Sequence, residues 1–165
     1  MKNISYTTID KSAWPRGEWD NEPDKEQFID EATGLPCLIV RVDWSGHLCG
    51  YVGVSDGHPT FAKDLSRWDD GNPDIEVHGG ITFGDFCQNT KSECKGICHK
   101  VEDGENDRVW WHGFDCHHSG DYGPASARMM GYGGYDRYRN YDYVKGECRR
   151  LAAQLKALET SEVTA

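Results

Sequence analysis

The strongest constraint on this chain is a pair of β-rich runs joined by a two-residue turn. Cys37-Leu38-Ile39-Val40-Arg41-Val42-Asp43-Trp44 is followed by Ser45-Gly46, then by His47-Leu48-Cys49-Gly50-Tyr51-Val52-Gly53-Val54. Branched and aromatic side chains favour extended backbone, and a short glycine-containing connection lets two such runs pair antiparallel. In the first run Leu38, Val40 and Val42 alternate with Ile39, Arg41 and Asp43, which gives the hairpin one apolar and one mixed face. A lone hairpin is not stable in water, so its apolar face needs further partners.

Those partners are readable downstream. Ile75 to Phe83 reads as a third strand, with Ile75, Val77, Ile81 and Phe83 pointing one way and Glu76, His78 and Thr82 the other. Gly79-Gly80 in its middle implies a bulge or the close approach of another group to the backbone. Arg108 to Cys116 reads as a fourth strand. Trp110, His112, Phe114 and Cys116 share one face of it, opposite Val109, Trp111, Gly113 and Asp115. Val144, Cys148, Leu151, Leu155 and Leu158, widened by Ala152, recur at helical steps and predict an amphipathic helix lying across the sheet. The expected fold class is α+β: a small, mainly antiparallel sheet of about four strands with long loops, packed by a C-terminal helix.

A chain of 165 residues suits one core, whereas two would each be marginal. Residues 1–34 read as an acidic, irregular segment with a short helix at Lys25–Ala32, pinned by Trp14 and Trp19. Residues 35–160 read as the single domain and 161–165 as a tail. Thr60 to Trp68 reads as a short helix or turn, 69–74 as a loop, and Gly84–Asp107 and Gly120–Asn140 as long excursions. A mean hydropathy of -0.75 and 19 glycines require that much loop.

No stretch approaches the ~18–20 apolar residues that cross a bilayer. Met1-Lys2-Asn3-Ile4-Ser5-Tyr6 lacks the apolar run of a secretory signal. The expectation is a cytoplasmic protein whose seven cysteines stay mostly thiols. A net charge of -10 disfavours nonspecific binding to nucleic acid or to anionic membrane. The charge is uneven: Glu18–Glu31 holds seven acids against Lys25 alone, and Asp136–Lys156 holds six bases against three acids. The basic stretch can meet the acidic one, a phosphate-bearing ligand, or solvent.

Unusual polar residues gather beside two predicted strands. Asp115, His118 and Asp121 are spaced three apart where the fourth strand gives way to a turn. Carboxylate and imidazole suit a divalent ion such as Zn²⁺ or Mn²⁺, and His78 from a neighbouring strand supplies a further ligand or a general base. The structural alternative has both aspartates capping turns and the histidines bonding backbone. Cys116 beside His117 and His118 raises a thiolate nucleophile, against a buried thiol. Cys87, Cys94, Cys98 and His99 have the residue types of a zinc clip without its spacing. Met129–Tyr141 interleaves aromatics with Arg137 and Arg139, a composition that either contacts bases and phosphates or covers apolar surface.

On these same residues the chain resembles a family of small proteins encoded widely by bacteriophages and prophages. The likeness covers Cys37 to about Leu158. It rests on Gly50-Tyr51-Val52-Gly53-Val54 with His58-Pro59, on His78-Gly79-Gly80-Ile81-Thr82-Phe83, on Trp110–Asp121, and on Tyr138-Arg139 leading to a helix with Glu147 and Leu151. The resemblance implies a context, an accessory phage protein acting in the host cytoplasm, and brings no activity.

Together the readings point to a metal-assisted hydrolase of a small phosphorylated or nucleotide-like substrate, with a counter-defence role. Asp115, His118 and Asp121 would hold the ion and His78 would act as base. His58 or Asp64 would assist proton transfer, and Tyr135, Arg137, Tyr138 and Arg139 would hold the anionic substrate. The rival readings are a non-catalytic protein that sequesters a small ligand, and an inhibitor of a host macromolecule that acts through the acidic surface.

Overall fold

The structure, a computed structural model, describes residues 1–67, 71–87, 94–131 and 134–161. Trp68, the loop positions 69 and 70, Tyr132 and Gly133, and the tail 162–165 lie outside them. Among the described residues six strands form one sheet in the order β1-β2-β3-β4-β6-β5, every neighbouring pair antiparallel. They are β1 (Ile4–Tyr6), β2 (Lys25–Ile29), β3 (Pro36–Arg41), β4 (Leu48–Ser55), β5 (Phe83–Phe86) and β6 (Val109–Asp115). A one-turn helix, α1 (Ala127–Met130), precedes the long α2 (Tyr141–Ser161). The fold is α+β, as the periodicities require, with two strands more than the sequence disclosed.

The hairpin at the centre is β3–β4, and β6 pairs along the whole of β4. One sheet face carries Cys37, Ile39, Val52, Val54, Trp110 and Phe114, and α2 covers it with Val144, Cys148, Leu151, Ala152 and Leu155. These five helix residues are fully buried, which is the driving force for docking α2. Gly50 lies under that contact. A Cβ there would sit 2.7 Å from Cys148 Sγ and 2.4 Å from the Phe114 ring.

The opposite face, with Leu38, Val40, Tyr51, Val109 and Trp111, is also buried. Ile97 packs onto it, and backbone carbonyls of Cys98 and Lys100 receive Lys25 Nζ and Gln27 Nε2. Positions 88–93 of the predicted excursion 84–107 lie outside the described residues, and its described part therefore serves as a cover through residues 97–100. This explains why Lys25–Ala32 misleads as a helix: Lys25 and Gln27 are polar yet point inward, so β2 lacks an apolar alternation. Residues 1–34 are correspondingly less irregular than expected, because they supply β1 and β2.

Ile75–Phe83 is not the strand expected, except at its last residue. The Glu76 N–H donates to Gln154 Oε1, and Gln154 Nε2 donates back to the Glu76 carbonyl. The His78 N–H donates to Glu147 Oε2. Side chains of α2 thus satisfy backbone groups that a ladder would have used, while Ile75, Val77 and Ile81 pack on the helix-side core. A turn closes from the Gly80 N–H to the Val77 carbonyl before the chain joins β6 through the Thr82 N–H to the Gly113 carbonyl.

The acidic N-terminal segment meets the basic C-terminal stretch. Lys145 Nζ lies 3.0 Å from Glu26 Oε1, and Arg149 Nε 4.0 Å from Asp30 Oδ1. Arg41, on the mixed face of β3, has a fully buried side chain. It donates to Asp24, Glu22, the Tyr138 hydroxyl and the Gly46 carbonyl. Lys11 adds a second cation at Asp24. Five of the seven cysteines are thiols, and Cys87–Cys98 is a disulfide, a pairing that nothing in the spacing announces. Among the described residues no helix is long and apolar enough to cross a membrane.

Buried imidazoles set the acid stability of this fold. Burial first, with a neighbouring histidine second, pushes His47 and His112 down to about 4. The folded chain keeps both neutral while the unfolded chain binds protons from about pH 6.5. Stability should therefore fall as pH drops from 6.5 to 4, at up to ~2.7 kcal/mol per pH unit for two groups. Urea unfolding at pH 7, 5.5 and 4.5 measures this slope, and a flat profile across those values would contradict it.

Candidate metal centre

Three segments that are distant in sequence converge on Asp121, at the end of the turn after β6. The turn is closed by the Asp121 N–H to the His118 carbonyl, and the Asp121 carboxylate returns the contact by accepting the His118 N–H at 3.0 Å. Arg139, just before α2, donates through Nε to Asp121 Oδ1 at 2.8 Å. His78, held by Glu147 of α2, brings Nε2 to 2.8 Å from Asp121 Oδ2. His118 Nδ1 lies 3.7 Å from the same oxygen.

Burial alone would raise the Asp121 carboxyl. Hydrogen bonds from Arg139, from His78 and from the His118 amide outweigh it and hold the group below the usual carboxylate range. Asp121 is thus an anion with only 3% of its surface exposed.

His78, His118 and Asp121 form a group that could hold a metal ion, each offering one ligand atom and these atoms all within 4.8 Å of one another. Donor atoms around a tetrahedral ion at 2.0–2.2 Å stand ~3.3–3.5 Å apart, between the 2.8 and 3.7 Å found here. A bound ion would replace the His78–Asp121 hydrogen bond and would widen that gap by about half an ångström. The remaining atoms of the ligands are already held. The Tyr143 hydroxyl meets His78 Nδ1 at 2.9 Å, and Arg139 takes the second Asp121 oxygen, the outer support that fixes imidazole and carboxylate orientation in metal sites. His118 Nδ1 is shielded from solvent and has no hydrogen-bond partner, the state of a nitrogen suited to receive a cation.

Gly79 makes the arrangement sterically possible. A Cβ on it would fall 2.1 Å from His118 Cε1, so the close approach foreseen at Gly79-Gly80 is that of the His118 ring. The site opens on a cleft of about 310 Å³ lined by His117, His118, Ser119, Asp121, Met130 and Asp136, among others.

The other sequence candidates divide. Asp115 stands beside the group, not in it: its Oδ1 accepts the His117 N–H and lies 3.8 Å from His118 Nδ1. His78 takes the place among the potential ligands that the sequence reading gave to Asp115. His58 is withdrawn into the core, where Nε2 meets the Leu155 carbonyl at 2.9 Å and Nδ1 the Thr60 amide. It anchors α2 and offers no proton to the cleft. Asp64 ties its own turn through Ser66 and Arg67. Tyr138 is spent on Arg41 and Glu22, so it cannot also hold a ligand. Arg139 is at the site, Arg137 is exposed with its backbone bridged to Asp121, and Tyr135 is almost fully exposed.

Cys116 is no nucleophile. Burial, then the nearby Asp121, pushes its thiol far above the usual range. The disulfide consumes Cys87 and Cys98, which removes half of the zinc-clip alternative. Sequence reasoning missed Glu147 and Tyr143 as supports of His78. Glu147 faces inward beside the Val144–Cys148–Leu151 stripe, and a charged residue at such a helix position is the signal that could have found it.

Comparison with family models, with curated proteins and with solved structures finds no match to this chain.

Two adjacent glycines provide a controlled test of the centre. Both have positive φ, +66 at Gly79 and +85 at Gly80, but only Gly79 faces His118, and Gly80 faces open space. Alanine at either costs about 1–3 kcal/mol of backbone strain. Calorimetric titration with Zn²⁺ should show Gly79→Ala binding at least tenfold more weakly than Gly80→Ala. Equal affinities for the two variants would remove His118 from the ligand set.

Proposed function

We propose that the chain is a metal-assisted hydrolase of a small phosphorylated or nucleotide-like compound, with the ion on His78, His118 and Asp121. The observation that carries this reading is a group of three potential ligands beside a small cleft, which would leave coordination positions free, the pattern of catalytic and not structural sites. When bound, a divalent ion supplies a Lewis acid for a phosphoryl oxygen and lowers the pKa of water toward neutrality.

The residues of the chain do the rest. Arg139 neutralises part of the Asp121 charge and orients the carboxylate. With an ion in place of the proton on Nε2, His78 would carry its proton on Nδ1 and donate it to the Tyr143 hydroxyl, which would keep the Nε2 lone pair toward the ion. Asp115, half-buried beside His118, would take a proton from water activated at this group. An accessory phage protein that degrades a host signalling nucleotide fits this chemistry by analogy.

The test has two stages. Purified chain should accept one equivalent of Zn²⁺ or Mn²⁺, and His118→Ala and Asp121→Asn should each weaken that binding by a hundredfold or more. Loaded protein should then release phosphate from nitrophenyl phosphate or from nucleotides, with no turnover in chelator. Stoichiometric ion without turnover would overturn the hydrolase and leave ligand sequestration. Failure to bind the ion would overturn both stages.

A further inference from the structure

The described residues leave five large apolar side chains exposed, three of which meet the candidate site or the residues that line its cleft. The five are Trp44, Met129, Met130, Tyr135 and Tyr143. Met130 lines the cleft beside His118. Tyr143 bonds His78. Trp44, in the β3–β4 turn, stands edge-on to His117 at 5.1 Å between ring centroids, and His117 lines the cleft. Single exposed apolar residues need no explanation, but several beside one polar floor mark a candidate binding site.

Trp44 is the most telling of these. Its indole is 59% exposed, yet it is braced. His47 lies 6.1 Å away, also edge-on, and His117 stacks on buried His47 at 4.7 Å and 24° between planes. A large ring held in one orientation with an open surface is a stacking platform. The occupant must be small, because the concavity of about 310 Å³ is at the lower end of small-ligand sites. It must also have one end that coordinates a cation and another that stacks on an aromatic ring.

We infer that the cleft selects phosphate compounds bearing a planar base, nucleoside monophosphates in preference to sugar phosphates, with Trp44 stacking the base and the His78–His118–Asp121 end taking the phosphate. This rests on the metal reading above and adds Trp44 as the residue that determines specificity. Trp44 lies outside the ligand set and contributes nothing to the core. Its replacement therefore leaves folding and ion binding intact.

The experiment titrates Mn²⁺-loaded protein with AMP, GMP, CMP, UMP, ribose 5-phosphate and inorganic phosphate by calorimetry, for the native chain, Trp44→Ala and Trp44→Phe. At least one nucleotide should bind the native chain about tenfold or more tighter than ribose 5-phosphate. Trp44→Ala should erase that preference with Mn²⁺ affinity unchanged, and Trp44→Phe should keep most of it. Equal binding of nucleotides and ribose 5-phosphate by the native chain, or a preference that survives in Trp44→Ala, overturns the inference while the metal reading stands. A native chain that binds Mn²⁺ but no phosphate compound overturns the inference and the proposed substrate class, and one that binds no Mn²⁺ removes the foundation of both.

Discussion

A buried carboxylate cannot remain charged without compensation, and Asp121 organises this molecule by collecting it. With 3% of its surface exposed, its two oxygens draw in Arg139 from the approach to α2, His78 from the segment before β5, and the His118 amide from its own turn. Each partner comes from a different part of the chain. The carboxylate therefore fixes where the segment 75–82 and the start of α2 sit relative to the end of β6. The same contacts keep it anionic and leave His118 Nδ1 without a partner, so structural need and metal-binding capacity are met by one group.

The sheet and helix make that convergence precise. The β4–β6 pairing sets the height at which the chain leaves the sheet after Asp115. α2, seated by its apolar stripe, then presents Glu147 to the His78 amide and Gln154 to the Glu76 backbone. Tyr143, one turn earlier on α2, reaches the His78 ring. A helix docked on the core thus carries three of the side chains that position the segment bearing His78, and rigid elements hold sites more accurately than loops do.

The parts of this arrangement legible in the sequence were those governed by periodicity. The β3–β4 hairpin, β6 and α2 all follow from alternation or from helical steps, because their apolar faces are regular. β2 was hidden by Lys25 and Gln27, whose polar ends are satisfied by carbonyls far away in sequence. Ile75–Phe83 alternates like a strand, but α2 side chains take its backbone groups. The meeting of His78 with His118 and Asp121 was foreshadowed by Gly79-Gly80, where φ > 0 and a missing Cβ admit the imidazole. His58 and Tyr138 read as site residues because residue type reveals chemistry but not direction: His58 turns toward α2, and Tyr138 toward Arg41. The Cys87–Cys98 pairing has no local signal at all.

The most direct measurement is anomalous diffraction from crystals of the native chain grown with Zn²⁺, recorded on either side of the zinc absorption edge. One strong peak is expected about 2.0–2.2 Å from a ring nitrogen of His78, a ring nitrogen of His118 and Asp121 Oδ2, with Arg139 still on the second oxygen of Asp121. A map with no peak there at saturating zinc, and with the His78–Asp121 hydrogen bond intact, would contradict it.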